Sequence, residues 1–106
     1  MAQLTEQELK KIADIQDRIN NGVKIHIGAQ IHHDCIIGEF STIAPKALLL
    51  GNVEVGKNVY IGANSTIKQK VKIGKGAIIG AGSVVIRDVK DFDMVAGIPA
   101  KSIKTS

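Results

Sequence analysis

The chain has 106 residues with no Trp, one Tyr, two Phe and 11 Gly. That leaves room for one domain with one modest core, built from short aliphatic side chains rather than from rings. A single cysteine, Cys35, excludes an internal disulfide and fits a reducing cytoplasm. No apolar run is long enough to span a membrane, and the opening MAQLTEQELKK lacks the apolar stretch of a secretory signal. The net charge of +4 is unevenly placed. Residues 1–22 sum to −1 and the remainder to +5. Such an excess is either solvated surface or the footing of an anionic partner. Nucleic acid is disfavoured, because stacking platforms need aromatic residues that are absent here. A phosphate-rich small molecule needs only a few of these charges.

In chain order, residues 4–20 read first, as an amphipathic helix. Thr5 and Glu8 have capping-box spacing, and Leu4 and Leu9 sit where a hydrophobic staple would. Leu9, Ile12, Ile15 and Ile19 form an apolar stripe that Asn20-Asn21-Gly22 ends. Residues 1–22 are therefore expected to be a capping helix over the open end of the domain formed by residues 23–106. The other role open to them is dimerisation or docking.

From residue 23 a period of six takes over. Ile25, Ile31, Ile37, Ile43, Leu49, Val55, Ile61, Ile67, Ile73, Ile79 and Val85 are all large aliphatics. Two residues before each stand Val23, Ala29, Cys35, Ser41, Ala47, Val53, Val59, Ser65, Val71, Ala77 and Ser83, none larger than Val. Residues two apart in a strand share a face. Each hexad thus supplies a short strand with one large and one small inward residue, followed by a bend placed at the glycines 38, 56, 62, 74 and 80. One such strand cannot bury its own face, so hexads must coil and coils must stack. Gly38, Gly56 and Gly74 lie 18 apart, as do Gly62 and Gly80, which makes three hexads per coil. The expected fold is an all-β parallel β-helix over residues 23–106, its last part a cap. Phe92, Met94 and Val95 are expected to cover the final coil, and Pro99 to fix a turn.

The chemistry-bearing residues cluster early, at His26, His32 and His33. The string His32-His33-Asp34-Cys35-Ile36-Ile37-Gly38 and the later Val95-Ala96-Gly97-Ile98-Pro99-Ala100-Lys101 resemble the hexapeptide-repeat acyltransferases. The likeness is to the bacterial sugar acetyltransferases that modify sialic acids or UDP-linked amino sugars. It implies a left-handed coil, whereas the general rule for parallel crossovers gives a right-handed one. It also implies an acetyl-CoA-dependent transferase, N- or O-acetylating a sugar or nucleotide-sugar acceptor. Such enzymes are homotrimers with sites between subunits, and a cytoplasmic location is expected. Members of that family carry an N-terminal α/β domain, where this chain has 22 helix-like residues.

By the same resemblance His33 is the general base and Asp34 the carboxylate that orients it. An acceptor amine or hydroxyl must lose a proton as it attacks a thioester, and imidazole is suited to take it. The repeat alone leaves open that both residues merely decorate a bend. Cofactor contacts carry over onto Thr42, Gly51, Ala63, Gln69 and Ala81, with the Gly51 N–H receiving the thioester oxygen. Thr42 stands where the family commonly has His. Residues 33, 51, 69 and 87 are 18 apart and should stack along one edge, about 14 Å long at the usual strand spacing. That length suits a pantetheine arm, with Arg87 and Lys101 placed for the CoA phosphates. Ala63 and Ala81 belong to another edge and would come from the adjoining subunit. No bound metal is expected, because a γ-carbonic-anhydrase-like site needs a further histidine and none follows residue 33. That metalloenzyme, and a β-helix scaffold without turnover, are the two rival readings.

Overall fold

In the computed structural model, which describes residues 18–103, every regular element is a β-strand. Twelve are two-residue strands set six apart: β1 (Arg18–Ile19), β2 (Lys24–Ile25), β3 (Gln30–Ile31), β4 (Ile36–Ile37), β5 (Thr42–Ile43), β6 (Leu48–Leu49), β7 (Glu54–Val55), β8 (Tyr60–Ile61), β9 (Thr66–Ile67), β10 (Lys72–Ile73), β11 (Ile78–Ile79) and β12 (Val84–Val85). A hairpin of β13 (Met94–Gly97) and β14 (Ala100–Ser102) ends the described chain. Three parallel sheets form, in the orders β1-β4-β7-β10, β2-β5-β8-β11-β13 and β3-β6-β9-β12. Each strand pairs with the one three hexads on, as in Ile25↔Ile43 and Ile43↔Ile61. The architecture is a left-handed parallel β-helix. The right-handed rule concerns strands joined by long crossovers, and these two-residue strands are joined by tight corners.

Both aliphatic columns point inward, and every member of each is buried. Ser41, Ser65 and Ser83, the polar members, are fully buried and hydrogen-bonded to backbone groups. Backbone bonds such as Thr42 N–H to Val59 O (2.8 Å) and Ala44 N–H to Ile61 O (2.9 Å) join successive coils.

The bend is more specific than the glycines suggest. Left-handed backbone falls three residues after each large aliphatic from Ile19 to Ile79, at Gly22, Gly28, Asp34, Phe40, Lys46, Asn52, Asn58, Asn64, Lys70, Gly76 and Gly82. Asn, Asp and Gly tolerate that conformation best. The glycines directly after the aliphatics answer a different demand, close stacking. A Cβ on Gly62 would lie 2.6 Å from the Ala81 nitrogen, where backbone blocks it.

Two features depart from the sequence expectations. Arg18–Ile19 is a strand paired with Ile36–Ile37, so the coil already includes residues placed in the helix; residues 1–17 of that expected helix lie outside the described residues. At the far end, Val95 is buried and continues the inward column, but Phe92 is 57% exposed. The reason is register: Val85 pairs with Ile67 at a spacing of 18, while Val89 pairs with Ile73 and Val95 with Ile79 at 16. The two-residue contraction sets Phe92 on a left-handed corner, its ring against Gly76. Pro99 lies in the turn between β13 and β14.

Gly62→Ala is expected to destabilise the chain by about 1–3 kcal/mol through backbone overpacking. Asn64→Gly, at the neighbouring left-handed corner, should change it by no more than about 0.5 kcal/mol. Urea unfolding of both variants checks the distinction.

Candidate active site

The edge between the β3 and β4 sheets carries the candidate site. His32, His33 and Asp34 form its first corner, directly after the inward Ile31. A corner residue cannot point into the prism, so these side chains are left at the surface. His33 Nδ1 lies 3.2 Å from Asp34 Oδ2, with the two side chains 60% and 41% exposed. The left-handed backbone of Asp34 (φ 59°) turns its carboxylate back toward the preceding ring. A carboxylate only accepts, so in the neutral imidazole Nδ1 carries the hydrogen and Nε2 keeps its lone pair.

Gly51 stacks on His33 in the next coil. A Cβ there would lie 2.5 Å from His33 Nε2 and 2.6 Å from Cε1, so the imidazole in this position requires glycine beneath it. Gly51 is buried beneath that ring. The backbone locks the two coils together, Asn52 N–H donating to His33 O (2.9 Å), and ties Gly51 to the coil after it, Lys70 N–H donating to Gly51 O (3.0 Å).

The fold sorts the remaining sequence-predicted residues into separate places. Gln69 follows Gly51 on the same edge and is exposed. Arg87, also exposed, is reached just as the register contracts, where the Asp88 carboxylate accepts the Lys72 N–H at 2.8 Å. Arg87 and Lys101 meet in a small cleft with Ile86, Pro99 and Ala100. Both also border a concavity of about 560 Å³ over the last coil. Ala63 and Ala81 stand on a different edge, in register with Ile27 and Pro45, and Thr42 lies on an outward face between edges. One copy of the chain therefore does not bring Ala63 and Ala81 to His33. Among the described residues, no three His, Cys, Asp or Glu side chains gather as a metal-ligating set.

Sequence reasoning passed over Cys35, whose thiol donates to the Leu50 carbonyl at 3.2 Å, directly before Gly51. Its place in the small inward column, directly after the His33-Asp34 pair, was the available signal.

Residues 18–51 and 52–87 match the family model described as bacterial transferase hexapeptide (six repeats). The chain is 36% identical over 93 residues to the acyl-[acyl-carrier-protein]–UDP-N-acetylglucosamine O-acyltransferase of Thiobacillus denitrificans, covering 84% of this chain and 36% of that one. Among solved structures, WeeI from Acinetobacter baumannii AYE aligns with a TM-score of 0.80 at 36% identity, over 82% of this chain and 43% of its own. The acetyltransferase domain of PglB from Neisseria gonorrhoeae FA1090, in complex with acetyl coenzyme A, aligns at 0.76 and 28% identity, over 86% of this chain and 53% of its own. The chain thus spans little more than a third to a half of these relatives.

Gly51→Ala is expected to push the His33 ring off its seat. The imidazole resonances of His33 should shift while those of His26, in another corner, stay in place. An unmoved His33 signal would contradict the packing described.

Proposed function

We propose that this chain, which belongs to the bacterial transferase hexapeptide family, moves an acetyl group from acetyl-CoA to the amine or hydroxyl of a sugar or nucleotide-sugar acceptor. The observation that carries this reading is the His33 ring, bonded through Nδ1 to Asp34 and seated on Gly51. In the proposed step His33 Nε2 takes the acceptor's proton as the acceptor attacks the thioester carbonyl. The Gly51 N–H, at the flank of the ring, receives the negative charge that develops on the carbonyl oxygen. The C–S bond then breaks, and the departing CoA thiolate takes the proton back from His33.

Support for the donor comes from the acetyl-CoA held by the PglB domain, and for the acceptor class from the UDP-N-acetylglucosamine named in the Thiobacillus relative. That relative is also named for an acyl-carrier-protein donor, which makes an acylated carrier protein the second donor to assay. The site is completed in a homotrimer. Beyond Lys24, two outward faces are uncharged in the later coils, Thr42, Tyr60, Ile78 and Leu48, Thr66, Val84, whereas the third carries Arg18, Glu54 and Lys72. Packing the uncharged faces together would bring Ala63 and Ala81 of one copy toward His33 of the next. Thr42, on one of those faces, and Gln69, below Gly51, would contact the pantetheine arm. Arg87 and Lys101, sharing one cleft at the end of the His33 edge, would hold the CoA phosphates.

CoA release across a panel of UDP-amino sugars and sialic acids tests the reaction. His33→Ala should lower kcat by roughly 10²–10⁴, the usual worth of a positioned general base, with the trimer intact by light scattering. His32→Ala should be much milder, since its column continues with Leu50 rather than Gly51. A dead His32→Ala beside a normal His33→Ala would reverse the assignment.

Arg87→Ala and Lys101→Ala should each weaken CoA binding in calorimetry, and the loss should shrink as salt is raised. Unchanged affinity in both variants would remove the phosphate role.

A further inference from the structure

The Leu50–Gly51 peptide is held from inside the prism. Cys35 is fully buried in the small inward column, and its Sγ donates to the Leu50 carbonyl at 3.2 Å; the His33 carbonyl is a more distant acceptor at 3.9 Å. A trans peptide is planar, with its C=O and N–H opposed. Drawing the Leu50 oxygen inward therefore turns the Gly51 N–H outward, on the edge where the His33 ring lies.

The device recurs with oxygen in place of sulfur. Ser41 Oγ donates to Gly56 O at 2.7 Å and Ser65 Oγ to Gly80 O at 2.9 Å, with the same offset of 15 residues that separates Cys35 from Leu50. What an outward N–H at this hexad position can hold is visible at Lys75, four hexads on from Gly51. Its N–H donates to the Asp91 carboxylate Oδ1 at 3.1 Å, a negatively charged oxygen presented from outside the coil.

We propose that Cys35 is a positioning residue for acyl transfer, its thiol fixing the Leu50–Gly51 peptide so that the Gly51 N–H faces the thioester oxygen. This rests on the acyl-transfer reading above. The sulfur keeps its proton and touches no substrate. Any inward donor of similar size should serve, as the serines do at their corners. A thiol is a weak donor, and the peptide is also held by Lys70 N–H on the Gly51 carbonyl. The expected effect is therefore a fraction of the 10²–10³ that loss of a whole oxyanion donor costs.

The test compares Cys35→Val, Cys35→Ala, Cys35→Ser and Ser41→Ala by steady-state kinetics and by the backbone amide resonance of Gly51. Val removes the donor without a cavity, and the same column holds Val at 53, 59 and 71. Cys35→Val and Cys35→Ala should lower kcat about 3–10-fold, leave the KM for acetyl-CoA within about twofold, and shift the Gly51 amide. Cys35→Ser should restore both readings. Ser41→Ala loses the same kind of bond at Gly56, away from His33, and should lower the melting temperature without slowing turnover. Wild-type kcat with an unmoved Gly51 amide in Cys35→Val overturns the proposal, and so does a Ser41→Ala as slow as Cys35→Val. If the wild-type chain acetylates no acceptor in the panel, the acyl-transfer reading fails instead. The positioning claim is then decided by the Gly51 amide, which must move in Cys35→Val and return in Cys35→Ser.

Discussion

The structure depends on one spacing, the distance at which backbone N–H and C=O groups of neighbouring coils can bond. Every coil must repeat the path of the one beside it, or the ladder between them breaks. The demand falls hardest at the corners, where two chains turn in parallel with almost no room between them. It explains why glycine follows the large aliphatic where the neighbouring backbone comes closest, as at Gly62. It also explains why the left-handed residue recurs at one fixed place in each hexad from Gly22 to Gly82. The interior obeys the same condition. Coils this tight leave space for one large and one small side chain per strand, and Ile, Leu, Val, Ala, Ser and Cys fill it.

The candidate site uses that spacing instead of resisting it. A histidine ring can rest this close to the next coil where that coil offers glycine, and Gly51 stands directly against His33. Stacking thus brings a histidine, its carboxylate neighbour and Gly51 of the next coil together, although residues 33 and 51 are far apart in sequence. The stacking also limits the site. A prism edge is convex, so one copy supplies a row of groups rather than a pocket around a substrate. A concavity lies at the last coil, around Arg87 and Lys101, where the register contracts and the hairpin folds over.

The rules that shape the corners also decide which irregularities are tolerated. Asp88 lends a carboxylate oxygen to the Lys72 N–H, in place of the backbone acceptor that Glu54 finds at Val71 one coil earlier, and Asp91 lends one to the outward N–H of Lys75. Phe40 and Phe92, the only phenylalanines, both occupy left-handed corners with their rings against a glycine of the neighbouring coil. An exposed ring there shields a stretch of bare backbone, which accounts for bulky apolar residues at positions otherwise suited to Asn or Gly.

Periodicity alone determined the coil, its three hexads per turn and its inward columns, because a prism this narrow admits few side chains and must repeat them. The pairing of His33 with Asp34 was expected from the family resemblance of the string around it, and the meeting of His33 with Gly51 from the spacing of 18. The left-handed phase of the corner was also written there, in Asn52, Asn58 and Asn64, but glycines serving a different purpose obscured it. Tertiary structure decided what depends on exact register. It carried the coil back to Arg18–Ile19, shortened the repeat after Val85, and turned Phe92 outward while Val95 stayed in the core. It also decided the bond from Cys35 to Leu50. A small inward residue can satisfy the pattern without donating a hydrogen bond, and only the stacked coils show which carbonyl it meets.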